Sequence, residues 1–126
     1  EALERVKNSF NSYPLSSESQ AGAIAAIEDV SYFQETCQAN IVQREKLSGQ
    51  LKALGFSMTQ SYANFLFVTH ETLRAQEIAA SLREQGIIIR HLTSSPRISN
   101  YLRISVGSVV ECELLVQALT AMVTAS

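Results

Sequence analysis

The chain has 126 residues, of which 46% are hydrophobic and 17% charged, with a formal net charge of −2. This is the composition of one globular domain, long enough to bury roughly two-thirds of its unfolded surface. It lacks the basic excess of a general nucleic-acid or acidic-membrane binder, and no apolar run reaches the roughly 18 residues of a membrane span. Neither nucleic acid nor membrane is therefore expected as a partner.

In chain order, Leu3, Val6 and Phe10 recur at spacings of three and four, which predicts a short amphipathic helix over 1–10. The run from Asn11 to Pro14 breaks it. Ser16 is the expected N-cap of a second helix over 17–28, with Glu18 in its first turn. Ala21, Gly22, Ala23, Ala25 and Ala26 suit close backbone approach, so this helix is expected to be packed on both sides. Residues 31–54 read as one long helix with a stripe of Phe33, Cys37, Ile41, Leu47, Leu51 and Leu54, ended by Gly55. A short strand over 56–60 precedes a second over 63–69, the latter expected to be buried on both faces at its centre. A helix over 72–85 turns Leu73, Ile78, Ala79 and Leu82 inward and stops at Gly86. Strands over 87–92 and 101–106 follow. Ser108 and Glu111 form a capping box for a last helix over 109–123, with Cys112, Leu115, Leu119 and Met122 inward. The expected fold class is α+β: a small, mainly antiparallel sheet of about four strands covered by helices on one face.

Two arginines stand out in this pattern. Arg90 lies in IIIRHL and Arg103 in YLRISV, separated by a loop of about nine residues. A hairpin with a symmetric register sets them across from each other or one step diagonal. Like charges so placed destabilise a sheet, and an anion would relieve them. Guanidinium groups suit carboxylate or phosphate because they offer planar, two-pronged donors. Arg97 in the loop is a candidate third cation. The bland alternative stays open: both arginines face solvent on the uncovered side of the sheet.

Other polar groups carry less. His70 and His91 have no partner at ligand spacing, so structural or solvated roles are expected and no metal site is. Cys37 and Cys112 make no disulfide framework and fit a reducing, cytoplasmic setting; both fall on apolar stripes, where burial is expected. Lys7, Lys46 and Lys52 fall on helix surfaces, away from the apolar surroundings that make a reactive amine. The glycines are dispersed, so no phosphate loop is present, and Asp29 is the one aspartate. The chain begins at Glu1 in what reads as mid-helix, so a piece of a larger protein, without its own catalytic residues, is expected.

These features occur together in a known setting. The stretches ERVKNSFNSYPLSSESQAGAIAAIED, YFQETCQANIVQREKL, ANFLFV, LREQGIIIRHL and PRISNYLRISVG resemble the C-terminal part of the fold-type I, pyridoxal-phosphate-dependent aminotransferases. Within them the chain is most similar to the histidinol-phosphate aminotransferases. The resemblance covers essentially all of 1–123 and implies that 1–126 is the small C-terminal domain of such an enzyme. It implies that Arg103 grips the substrate's anionic group, a carboxylate or the phosphate of histidinol phosphate, and that Arg90 is the second arginine of the clamp. Glutamate and 2-oxoglutarate are the other implied small anionic partners. Pyridoxal 5'-phosphate and its anchoring lysine belong, by the same resemblance, to a large domain upstream of Glu1. The isolated piece is then expected to be inactive, and the full-length parent a homodimer. The NSYPL segment matches a stretch near the active site and dimer interface of relatives, with no specific role for Tyr13. Val109 and Val110 depart from the acidic residues more usual there, and the loop TSSPRISN is where substrate shape would be read. Alternatives are another class I/II aminotransferase, such as an aromatic amino-acid transaminase, a non-catalytic anion-binding module, or an oligomerisation domain using Ile88, Tyr101 and Ser105.

Overall fold

The structure, a computed structural model, describes residues 2–9 and 15–125. The expected breaker at Asn11–Pro14, including Tyr13, lies outside them. The chain divides into two compact units, Glu1–Glu35 and Thr36–Ser126.

The first unit holds α1 (Ala2–Ser9), α2 (Ser17–Glu28) and the start of α3 (Val30–Ala53). Ser16 caps α2 as expected, its hydroxyl oxygen accepting the N–H of Ser19 at 3.2 Å. Asp29 closes α2 and opens α3, its carboxylate accepting the N–H of Tyr32 at 3.1 Å. The expectation that α2 is packed on both sides is not met: it has no buried residue. Its Ala-rich stretch permits close approach but supplies little apolar area of its own to drive burial. Ile24 and Ile27 of α2, and Phe33 and Cys37 of α3, are likewise exposed. The long stripe of α3 becomes a buried face only from Gln43 onward, where Leu47 and Leu51 enter the core.

The second unit is an open four-stranded sheet with helices on one side. Its strands are β1 (Phe56–Met58), β2 (Phe65–His70), β3 (Arg90–His91) and β4 (Leu102–Ser105). The order is β1-β2-β4-β3, and every neighbouring pair is antiparallel. Helix α4 (Ala75–Glu84) connects β2 to β3 across β4, and α5 (Val109–Thr124) follows β4. Leu66 and Val68 of β2 and Leu102 and Ile104 of β4 face the helices. They pack with Ile78 and Leu82 of α4, Cys112, Leu115 and Leu119 of α5, and Leu47 and Leu51 of α3. Each such side chain stabilises the fold by about 1.5–3 kcal/mol.

Three expectations are corrected by detail. The strand expected over 63–69 is not buried on both faces: from Phe65 to His70 it alternates half-buried and buried, because helices cover one side only. The strand expected over 87–92 shortens to Arg90–His91, and Ile87–Ile89 run unpaired. The fourth helix starts at Ala75, not Thr72.

That late start has a cause. The Nδ1 of His70 accepts the N–H groups of Thr72 and Leu73, both at 3.2 Å, and its Nε2 donates to the carbonyl of Leu54 at 3.0 Å. His70 is thus a buried bracket between the end of α3 and the entry to α4. Gly55 must sit against it: its φ is +85°, and a Cβ there would lie 3.0 Å from Nε2. Arg74 precedes α4 without capping it by its side chain. Asn100, from the loop before β4, does so instead, its Oδ1 accepting the N–H of Ala75 at 2.8 Å. At the other end, Gly86 (φ +79°) closes α4 with a 2.9 Å bond from the N–H of Ile87 to the carbonyl of Leu82.

The capping box of α5 is formed as expected. The Ser108 hydroxyl oxygen accepts the N–H of Glu111, and the Glu111 carboxylate accepts the N–H of Ser108 at 2.7 Å. The Ser108 hydroxyl and then its backbone N–H hold the Glu111 carboxyl below its ordinary pKa.

His70→Ala and Asn100→Ala should each lower the unfolding free energy by about 1–3 kcal/mol, through buried groups left unpaired. Arg97→Ala, at an exposed site, should stay within about 0.5 kcal/mol. Urea unfolding compares the three. The Glu111 contribution is present above the unfolded carboxylate pKa and lost as pH falls through the lowered folded value. Acid titration of the unfolding midpoint should therefore be shallower for Glu111→Gln than for the parent chain.

Candidate functional site

The hairpin register places the two arginines directly opposite. Arg90 pairs with Arg103 and His91 with Leu102, about the loop that sequence symmetry predicts. Arg103 also pairs with Phe67 on its other side, and Ser105 with Phe65. Leu102 and Ile104 are buried, so alternation sends Arg103 to the uncovered face. The Arg103 guanidinium carbon lies 4.9 Å from the centre of the Phe65 ring, and Phe67 stacks on Tyr101 at 4.4 Å and 9°. The aromatic floor fixes the direction of Arg103. Phe65 and Phe67 were missed as site residues because their run reads as a core strand. Its period of two was the signal that could have found them.

The arginines open onto a cleft of about 390 Å³ lined by Ala79, Arg83, Ile88, Ile89, Arg90, His91, Arg103 and Ser105. That volume suits a small molecule. Three arginines line it and no carboxylate does. None of the three forms an ion pair with a described residue. The third cation is Arg83 of α4, not Arg97, which lies in a 3-10 turn (Pro96–Ile98) away from the cleft. Another cleft, about 330 Å³, holds Arg44 and Lys52, but Glu45 also lines it and lies 3.4 Å from Arg44. Glu45 thus balances one of its two cations from within.

The remaining candidates are structural in their contacts. His91 bonds the carbonyl of Ser99 at 2.7 Å and steadies the hairpin loop. His70 is the bracket described above. Cys112 is buried, while Cys37 is exposed, against expectation, because the stripe it belongs to is uncovered there. Ile88 and Ser105 are exposed and Tyr101 is half-buried against Phe67. Among the described residues there is no group of His, Cys, Asp and Glu that could hold a metal ion, and no helix long and apolar enough to cross a membrane.

The family model for aminotransferase class I and II matches residues 1–119. The chain belongs to the class I and II aminotransferase family. It is 54% identical over 119 residues to histidinol-phosphate aminotransferase 1 of Pseudomonas aeruginosa, covering 94% of this chain and 34% of that protein. The chain thus spans about a third of the length of the curated relatives it matches. Among solved structures, the histidinol-phosphate aminotransferase of Clostridium acetobutylicum shares the fold at a TM-score of 0.84 and 18% identity, over 98% of this chain and 38% of that one. The Sinorhizobium meliloti histidinol-phosphate aminotransferase, solved in complex with pyridoxal-5'-phosphate, aligns at a TM-score of 0.75 and 28% identity, over 83% and 29%. The α+β small domain expected from the residues is the fold these aminotransferases share.

If the opposed arginines bind an anion, inorganic phosphate should raise the thermal unfolding midpoint, because a ligand held by the folded state stabilises it. Arg90→Ala and Arg103→Ala should each weaken that rise. An unchanged response in both variants would leave the pair as solvated surface charge.

Proposed function

We propose that this chain is the C-terminal small domain of a histidinol-phosphate aminotransferase, with Arg103 and Arg90 holding the substrate's anionic group. The observation that carries this reading is the opposed arginine pair, without acidic partners, lining one cleft. The full-length protein would then move the amino group reversibly from histidinol phosphate to 2-oxoglutarate, giving imidazole acetol phosphate and L-glutamate. Both substrates carry an oxyanion, so one clamp serves each in turn. Arg103, braced on Phe65, presents two parallel donors to that oxyanion. Arg90, opposite it, adds positive charge and a second fork. With this reading go a homodimeric full-length protein and a cytoplasmic setting.

Pyridoxal phosphate is the cofactor the family implies. Bound, it supplies the electron sink for amino transfer. The lysines with described side chains do not suit it. Lys46 lies 3.4 Å from Glu113, and Lys52 is exposed beside a polar cleft. The described residues therefore do not fit the cofactor by themselves. In this reading its anchoring groups belong to the part of the full-length protein that the chain does not span, and the chain alone is inactive. The uncovered apolar side chains of α2 and early α3 accord with such a division.

Arg103→Ala in the full-length protein should raise KM for both substrates. It should lower kcat/KM by roughly 30- to 150-fold, the loss of a charge-assisted contact of about 2–3 kcal/mol. Steady-state kinetics with each substrate, and with the 126-residue chain as the inactive control, make the test. Unchanged kinetics would refute the assignment.

A further inference from the structure

The arginine cleft holds a cation that the strand pattern does not announce. Arg83 belongs to the last turn of α4, three residues before Gly86 turns the chain back. The following segment leads to β3, so Arg83 and Arg90 line the same opening, with Arg103 opposite Arg90. The helix C-terminus attracts a cation weakly. No described carboxylate forms an ion pair with Arg83, although Glu84 is its neighbour in sequence. Arg83 is exposed, so its side chain is free to swing into the cleft without disturbing the core.

Charge matching decides what three guanidinium groups would select. A carboxylate carries one charge and two oxygens, and one or two guanidinium groups satisfy it. A phosphate monoester carries between about 1.5 and 2 negative charges near neutral pH and three acceptor oxygens. 2-Oxoglutarate also carries two negative charges, but they are split between two separate carboxylates, whereas the phosphate gathers its charge and three oxygens on one group. A third guanidinium converging on one point therefore gains more from the phosphate than from either carboxylate. We infer that Arg83 is a specificity residue that engages the phosphate monoester and contributes little to the carboxylate substrate. Carboxylate binding falls to Arg103 and Arg90. This rests on the reading of the cleft as the substrate site.

The test is steady-state kinetics of the full-length protein carrying Arg83→Gln, Arg83→Lys or Arg103→Gln, with histidinol phosphate and with 2-oxoglutarate. Arg83→Gln should raise KM for histidinol phosphate roughly tenfold, the loss of one charge-assisted contact at an open site. KM for 2-oxoglutarate should be unchanged. Arg83→Lys should recover most of the loss, because it restores the charge. If Arg103→Gln weakens both substrates while Arg83→Gln weakens neither, Arg83 is only a helix-end cation and the inference is overturned. An equal loss for both substrates in Arg83→Gln overturns it too, since that is a general field and not selection. If Arg103→Gln weakens neither substrate, the substrate-site reading itself fails, and the Arg83 inference fails with it.

Discussion

Pairing on both edges of β4 is the constraint from which the candidate site follows. Leu102 and Ile104 must face α4 and α5, because the sheet buries that side alone. A strand alternates with a period of two, so Arg103 is then forced to the open side. A slip of one residue would bury Arg103 and expose two core side chains. The same pairing sets Arg90 beside Arg103 through β3, and Phe67 beside it through β2. Core packing thus decides where the charges go.

The magnitudes make this arrangement sustainable. Like charges across a strand pair cost roughly 0.2–1 kcal/mol. Burying one leucine of β4 contributes about 1.5–3 kcal/mol. The fold therefore tolerates the repulsion without any local remedy. Polar brackets add to its tolerance. Asn100 ties the loop before β4 to the start of α4 and to the end of β2, and His91 ties the hairpin loop to itself. The His91 contact, with the N–H of Leu92 donating to the carbonyl of Tyr101 at 3.3 Å, extends the hold on β3, of which only two residues pair in the sheet. The segment Ile87–Ile89 is left off the sheet, and its departure opens the cleft between β4 and α4.

The first unit follows another rule. Ser16 caps the start of α2, and Asp29 closes α2 and caps the start of α3, so local chemistry fixes those three limits. Their apolar side chains remain largely exposed within this chain. Local propensity and capping set where a helix starts and stops, but apolar surface alone does not say what covers it. The chain spans about a third of the length of its curated relatives.

Local patterns in the sequence determined much of this protein. The caps at Ser16 and Ser108, the stops at Gly55 and Gly86, the inward stripe of α5 and the alternation of β4 were all legible, since each depends on residues within a few positions of one another. The facing of Arg90 and Arg103 was legible too, because a hairpin joins residues close in sequence. What lay outside that reach was decided by tertiary structure. Only packing on one side shows that Phe65 and Phe67 form a floor and not a core. The N–H of Ala75 that opens α4 is met by Asn100, 25 residues distant, and His70 reaches back 16 residues to the carbonyl of Leu54; no local rule reports such partners. Arg83 reads as an ordinary exposed helix residue until α4 folds back along β3. Local chemistry sets the elements, but a cleft is a coincidence of surfaces, and those surfaces exist only once burial has chosen which faces meet.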